Sequence, residues 1–230
     1  MAEGFSPLST SAAIDAAVSA RSMLAHEFYQ AWSEGRLSQE NLAEYAKQYF
    51  HHVEAFPRCV SATHAQCPDR EGRRMLAENL AEEEGLGHGK QDHATLWLNF
   101  AAAMGATAGD VKGVMLNAET QNLIDTFRSL SQRSYAAGLG ALYAYESQLP
   151  GVSTTKIDGL KRFYGVDSAD AIRFFSVHEA ADVEHSAVCR QLIDALPADQ
   201  RAEAMAGATE LADALLGFLT GVQRQAGLAC

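Results

Sequence analysis

The chain has 230 residues, a formal net charge of −11 and 47% hydrophobic residues, so it is long enough to bury a sizeable core. The excess of acidic residues argues against binding to nucleic acids or to anionic membrane surfaces. Because the sequence has no run of about 18 apolar residues and no basic secretory signal, we expect no membrane span and a cytoplasmic location. The cysteines form no CxxC pair and are interpreted as reduced thiols: Cys59, Cys67, Cys189 and Cys230.

Helical periodicity runs along nearly the whole chain, and no segment shows the alternation that is typical of strands. Pro57 lies where apolar spacing continues past it, so we expect it to kink its helix without ending it. No linker divides the chain, which predicts a single all-α domain over residues 1–230. Breaks rich in Gly, Pro or capping residues give nine predicted helices, at 10–33, 39–65, 69–84, 93–105, 108–130, 134–149, 153–164, 168–195 and 198–226.

Polar residues interrupt the apolar face of the helix predicted at 168–195. In FFSVHEAADVEHSAV, His178, Asp182 and His185 recur at i, i+4 and i+7, which places all three on one helix face. A buried carboxylate costs several kcal/mol unless a cation, a proton or hydrogen-bond donors compensate its charge. The spacing is compatible with a metal site gripped from one side, and also with a simple pair between Asp182 and a histidine.

Three further helices carry an ionisable residue on their apolar faces. Glu146 lies on the leucine-rich face of its helix, and His93 begins the apolar face of the helix that contains HATLW. Of the three consecutive glutamates 82–84, Glu83 aligns best with the apolar residues of its helix. The face that should be buried therefore holds an ionisable group on four separate helices.

Three imidazoles and three carboxylates together suit two divalent cations. Two cations bring four positive charges against three carboxylates, and one additional anion can take up the difference. Ligands of this kind favour iron or manganese over zinc, and they resemble the di-iron carboxylate sites of helical bundles. The alternative is a set of separate buried hydrogen-bonded pairs that hold no metal.

Five stretches of the sequence resemble the heme-oxygenase-like dimetal oxidases: FYQAWSEG, YAKQYFHHVEAFPRCVSA, NLAEEEG with HATLW, ALYAYESQLP, and HEAADVEH. Within that superfamily, which includes thiaminase-type and pyrroloquinoline-quinone synthase proteins, the resemblance is to the chlamydial death-domain-associating proteins and their bacterial para-aminobenzoate-synthesising relatives. It runs from about residue 21 to residue 196. It implies a heme-oxygenase-like bundle of seven to nine helices.

The resemblance also implies a pair of metal ions, Fe/Fe or Mn/Fe, that use O2 and an electron donor. His88 is the alternative to His93, because the stretch EGLGHGKQD is longer than in close relatives. We prefer His93 because it begins HATLW, whereas His88 lies between glycines in a predicted loop. The implied ligands coincide with the residues that periodicity selects: Glu83, His93, Glu146, His178, Asp182 and His185.

By the same resemblance, the aromatic ring of para-aminobenzoate comes from Tyr29 and the amino group from Lys156, so each chain acts once. Tyr145, next to Glu146, matches a helper tyrosine of the family. Phe174 stands where the family has a further tyrosine, which argues against a radical relay through that position. From the residues alone, Tyr29 could be a packing residue and Lys156 a solvated lysine.

Other functions remain as alternatives. A dimetal oxidase could act over many turnovers on a separate small amine or fatty acid. Ring oxidation of the pyrroloquinoline-quinone synthase type is disfavoured, because that chemistry does not require six metal ligands. A role as an interaction module is also disfavoured, because no exposed apolar groove can be read from the sequence. We expect His52 to make a hydrogen bond in the core and do not expect His26 to bind heme. We also expect a homodimer.

Overall fold

The computed structural model describes residues 9–88 and 90–228, and the described residues form helices without any strand. The predicted all-α class is confirmed, although the number of helices exceeds the seven to nine that were expected. The elements are α1 (Thr10–Ser19), a 3₁₀ helix (Met23–Ala25), α2 (Glu27–Ser33), α3 (Gln39–Gln66), α4 (Arg70–Glu83), α5 (His93–Ala103), α6 (Ala108–Gly113), α7 (Ala118–Arg133), α8 (Tyr135–Glu146), α9 (Leu149–Phe163), α10 (Ala169–Asp194) and α11 (Ala198–Gln225).

Two predicted helices are divided in the structure. The helix predicted at 10–33 becomes α1, the 3₁₀ helix and α2, because the backbone of His26 is extended and its ring caps α2. The helix predicted at 108–130 becomes α6 and α7, because Asn117 leaves the helical conformation and caps α7 with its side chain. The apolar periodicity continued across both breaks and concealed them. In contrast, α3 continues through Pro57 as predicted.

Helix α8 lies at the centre of the bundle. Every residue from Ala136 to Glu146 is buried, and α3, α7, α10 and α11 pack around the helix. Gly140 allows α11 to come close, because a Cβ atom at this position would lie 2.0 Å from the carbonyl oxygen of Ala204. Glu146, at the end of α8, is 1% exposed and is therefore held inside the protein.

Helix α11 has the length and hydropathy of a membrane-spanning helix, although the absence of a long apolar run had suggested that no such helix exists. It has 28 residues and an 18-residue window with a mean hydropathy of 1.2. In the structure 56% of that window is buried, and α11 packs along α7 and α8. The apolar face of α11 is thus used inside the bundle.

Three of the four cysteines lie within the described residues. Cys59, Cys67 and Cys189 are buried and form no disulfide, in agreement with their interpretation as reduced thiols. Cys230 lies outside the described residues.

Candidate metal centre

Helix α10 presents three polar side chains to the interior of the bundle. His178 and Asp182 are buried, and the His185 side chain is only 11% exposed. Their i, i+4 and i+7 spacing places them on the face of α10 that packs against α5 and α8. The polar residues that interrupt the apolar pattern of this helix therefore form a cluster inside the protein.

The six predicted ligands converge as two groups of three. In each group, one nitrogen or carboxylate oxygen from each residue lies within 4.8 Å of the others. This spacing is compatible with a cation held by all three atoms. Both groups include residues of α10, which joins them into one centre. The first group is Glu83, His93 and His178, and the second is Glu146, Asp182 and His185.

Several polar atoms of these groups are buried without a hydrogen bond to the described residues. They are His93 Nδ1, Asp182 Oδ2 and His185 Nδ1. His93 Nδ1 lies only 2.7 Å from Glu83 Oε2, but the two atoms are not in hydrogen-bonding geometry. Buried polar atoms are normally paired, so unpaired atoms that converge are expected where they share a cation. The donor set therefore fits a pair of metal ions.

Contacts with neighbouring groups orient the histidines. His178 Nδ1 lies 2.7 Å from the carbonyl oxygen of Phe174 and donates a hydrogen bond to it, which leaves Nε2 free to bind a metal ion. His185 Nε2 lies 3.2 Å from Glu82 Oε2, so its Nδ1 is the nitrogen that remains for the second group.

Burial raises the pKa values of the carboxyl groups, and a bound cation would lower them again, whereas burial lowers the pKa of a histidine. Burial raises the pKa of Glu83 to about 7 and also raises the pKa of Asp182 and Glu146. Burial lowers the pKa of His93 to about 4, so its imidazole is neutral near pH 7. Burial alone would lower the pKa of His185, but Asp182 and nearby carboxylates raise it to about 9. In the absence of a cation, burial therefore favours the protonated, neutral form of these carboxyl groups.

The structure separates the candidates among which the sequence left a choice. Glu83 is buried, whereas Glu82 is half-buried and Glu84 is exposed. His93 belongs to the first group, and His88 is exposed in the loop between α4 and α5.

A second polar cluster surrounds Lys156 on α9. Its side chain is buried and donates a hydrogen bond to the hydroxyl of Tyr45, which lies 3.2 Å from the Tyr29 hydroxyl. The Lys156 amine is 5.0 Å from the centre of the Tyr29 ring. Five further aromatic rings surround this amine at 4.7–5.7 Å: Trp32, Tyr45, Tyr49, Trp97 and Phe175.

Tyrosine side chains connect the two clusters. The Tyr49 and Tyr145 hydroxyls are 2.8 Å apart, and Tyr145 precedes Glu146 on α8. The rings of Tyr45 and Tyr49 stack with their centres 5.5 Å apart. Four tyrosines thus form a chain of contacts that begins at Tyr145, the sequence neighbour of Glu146, and ends at Tyr29. Phe174, in place of the family tyrosine, packs between His178 and Trp97.

Sequence reasoning assigned no functional role to Tyr45, Tyr49 or Asn79. The first two recur at i, i+4 on the buried face of α3, and Asn79 lies four residues before Glu83 on α4. These spacings place them on the inner faces of their helices, but tyrosine and asparagine at such positions are also ordinary packing residues. The groups that these three side chains contact become apparent only from the packing between helices in the structure.

Two other histidines were considered in the sequence, and neither joins the centre. His52 is buried against Tyr145 and Phe127, and burial lowers its pKa to about 3. The hydrogen bond expected for His52 is missing at Nε2, which has no partner among the described residues. His26 Nδ1 caps α2, and His26 Nε2 lies 3.1 Å from the Thr220 hydroxyl. Both ring nitrogens of His26 therefore contact protein groups.

Comparison with known proteins identifies the family. The model of a family described as an iron-containing redox enzyme matches residues 43–216. The chain is 39% identical to the 4-aminobenzoate synthase of Chlamydia pneumoniae, over 90% of this chain and 92% of that protein. It is also 39% identical to the 4-aminobenzoate synthase of Nitrosomonas europaea, over 94% and 93% of the two chains. The chain therefore belongs to the iron-containing redox enzyme family.

A solved structure confirms the fold. A domain from Shewanella denitrificans with a heme oxygenase-like fold superposes with a TM-score of 0.75 at 16% identity, covering 93% of this chain and 90% of that one. The heme-oxygenase-like bundle implied by the sequence is thus confirmed.

Replacement of the two competing histidines tests the assignment of the ligands. We expect His93→Ala to bind one metal ion fewer per chain than the wild type, because the first group loses one of its three donors. His88→Ala is the matched control and should keep the full metal content, because His88 is exposed. Elemental analysis after reconstitution with iron and manganese makes the comparison. Loss of metal in His88→Ala with full occupancy in His93→Ala would reverse the assignment.

Proposed function

We propose that the chain is an O2-dependent dimetal oxygenase that makes 4-aminobenzoate from its own Tyr29 and Lys156 side chains. The observation that carries this proposal is the buried Lys156 amine beside the Tyr29 ring, connected by tyrosines to six convergent ligands. Relatives at 39% identity that are named 4-aminobenzoate synthase support the same product.

The two ligand groups would hold two metal ions, Fe/Fe or Mn/Fe. All six donors are carboxylate oxygens or imidazole nitrogens, which suit iron and manganese in their divalent states. Bound there and reduced by an electron donor, the metal ions would supply the activation of O2. The surrounding helices keep bulk water away from Glu83, Glu146 and Asp182, which are all at most 3% exposed.

In this proposal, the Lys156 amine is the nitrogen nucleophile and reacts in its neutral form. Among the described residues no carboxylate lies within ion-pair distance of its amine, and its environment consists of aromatic rings. Burial lowers the pKa of Lys156 well below its usual value, which favours the neutral amine with its lone pair. A buried lysine without a carboxylate partner destabilises the fold, which is expected of a group retained for chemistry.

Tyr45 joins the amine to the phenol. Its hydroxyl accepts a hydrogen bond from Lys156 and lies within hydrogen-bond distance of the Tyr29 hydroxyl. Burial raises the pKa of Tyr29, so its phenol is neutral before reaction. Tyr45 can therefore move a proton between the Lys156 amine and the phenol oxygen while both groups stay inside the aromatic cluster.

The atoms of a tyrosine and a lysine balance with those of the product. The Cβ atom of Tyr29 is the carbon bonded to the ring, so it becomes the carboxyl carbon when the Cα–Cβ bond breaks. With hydrogen left on Cα, this oxidation removes four electrons, and one O2 accepts them and provides the two oxygen atoms. The ring C–O bond is exchanged for a C–N bond, and the Lys156 Cε–N bond breaks as Cε takes the hydroxyl oxygen.

Isotopic labelling and a single substitution test the source of the product. Protein labelled with 13C in tyrosine rings and 15N in lysine, loaded with metal and exposed to O2 and a reductant, should release 4-aminobenzoate that carries both labels. We expect Tyr29→Phe to release none and to keep its metal ions, because it lacks the phenol oxygen that the amine displaces. Mass spectrometry of the small-molecule fraction provides the measurement.

Tyr164→Phe is the control for this experiment, because Tyr164 is a half-buried tyrosine whose hydroxyl contacts the Trp32 carbonyl. It should release the labelled product as the wild type does. Unlabelled product formed over many turnovers per chain would contradict self-sacrifice and support a separate substrate.

The pH dependence of stability tests the state of Lys156. Between its lowered pKa and the usual value of about 10.4, the unfolded chain binds more protons at this lysine than the folded chain does. The penalty that the lysine imposes on the fold is greatest at and below its lowered pKa, and it fades as the pH rises towards the usual value. We expect Lys156→Met to raise the free energy of unfolding at pH 7, with a gain that shrinks by up to about 1.4 kcal/mol per pH unit towards pH 10.

Denaturant unfolding of the metal-free proteins measures this difference. Lys161→Met changes an exposed lysine on the same helix and, as the matched control, should give only a small difference in the free energy of unfolding. A gain in Lys156→Met that stayed constant between pH 7 and pH 10 would show that the buried amine is charged.

A further inference from the structure

We propose that Asn79 is a positioning residue for Glu146 and that it acts on one of the two ligand groups only. The inference rests on the metal pair of the proposed function and assigns a role to a residue outside both groups. Asn79 lies on α4, is 4% exposed, and contacts a carboxylate that belongs to α8.

The contact between Asn79 and Glu146 is short and has a defined direction. Asn79 Nδ2 donates a hydrogen bond of 2.6 Å to Glu146 Oε1, and this is the one hydrogen bond of the Asn79 side chain within the described residues. Asn79 Oδ1 is buried and has no hydrogen-bond partner among the described residues. An ionised carboxylate only accepts hydrogen bonds, so the amide must direct its NH2 group towards Glu146.

The second oxygen of Glu146 has a weaker donor. Cys189 Sγ donates to Glu146 Oε2 at 3.3 Å, and a thiol is a weak donor compared with an amide. The carboxylate is therefore held from both sides, mainly by Asn79, while further lone pairs stay available to a metal ion. Hydrogen bonds of this kind fix the orientation of ligating carboxylates, and their loss typically weakens metal binding by about 10–100-fold.

Helix α4 thereby serves both ligand groups. Asn79 and Glu83 are four residues apart and share one face of the helix. Glu83 belongs to the first group, whereas Asn79 contacts Glu146 of the second group. Removing the amide should consequently weaken the second group and leave the first unchanged.

Binding of Mn2+ to single-group proteins tests this selectivity. Glu83→Ala leaves the second group as the complete one, and Glu146→Ala leaves the first. In the Glu83→Ala protein, we expect Asn79→Leu to weaken Mn2+ binding by about 10–100-fold. In the Glu146→Ala protein, the same change should alter the affinity by less than about twofold, because its target is missing. Equilibrium dialysis with elemental analysis measures both affinities.

Leucine has the same number of side-chain heavy atoms and the same branching as asparagine, and Asn79→Ala provides a second, smaller variant if leucine impairs folding. Glu78→Ala, an exposed neighbour on α4, is the matched control and should leave both affinities unchanged. Equal weakening in the two backgrounds would show a general structural effect and overturn the inference, as would no weakening in either. Wild-type protein that bound no Mn2+ or iron would overturn the proposed function as well.

Discussion

The burial of three carboxylates and three imidazoles at the centre of the bundle is the constraint on which the rest of the structure depends. Each carboxylate would lose several kcal/mol of hydration without compensation, and burial raises the pKa of all three. The unpaired atoms of His93, Asp182 and His185 show that contacts among the side chains do not satisfy the groups fully. A pair of cations would neutralise the carboxylates and provide partners for these atoms.

The Lys156 cluster buries a group that would carry a positive charge in water, whereas the metal centre buries groups that would carry negative charges. Its buried amine faces aromatic rings and no carboxylate among the described residues, so the neutral form is favoured. The Tyr45, Tyr49 and Tyr145 side chains connect this neutral amine to the ionic centre. In the proposed function, this arrangement would separate the metal centre from the amine while hydroxyl groups and stacked rings connect the two clusters.

Much of this arrangement could be predicted from the sequence, because burial of polar residues interrupts an apolar pattern that is otherwise regular. His178, Asp182 and His185 were visible in this way, and Glu83, His93 and Glu146 followed from the same reasoning on other helices. The breaks at 20–26 and 114–117 were missed, since capping by His26 and Asn117 overrides a periodicity that continues across them. The role of Asn79 could not be predicted, because its contact is made between helices that are distant in sequence.

Counting metal ions tests the central claim most directly. Protein purified without chelators, reconstituted with iron and manganese, and freed of loosely bound ions should contain two ions per chain by elemental analysis. A crystal structure of that sample should place one ion in each group of three side chains. Metal-replete protein in which these six side chains contact only water and one another would contradict the account.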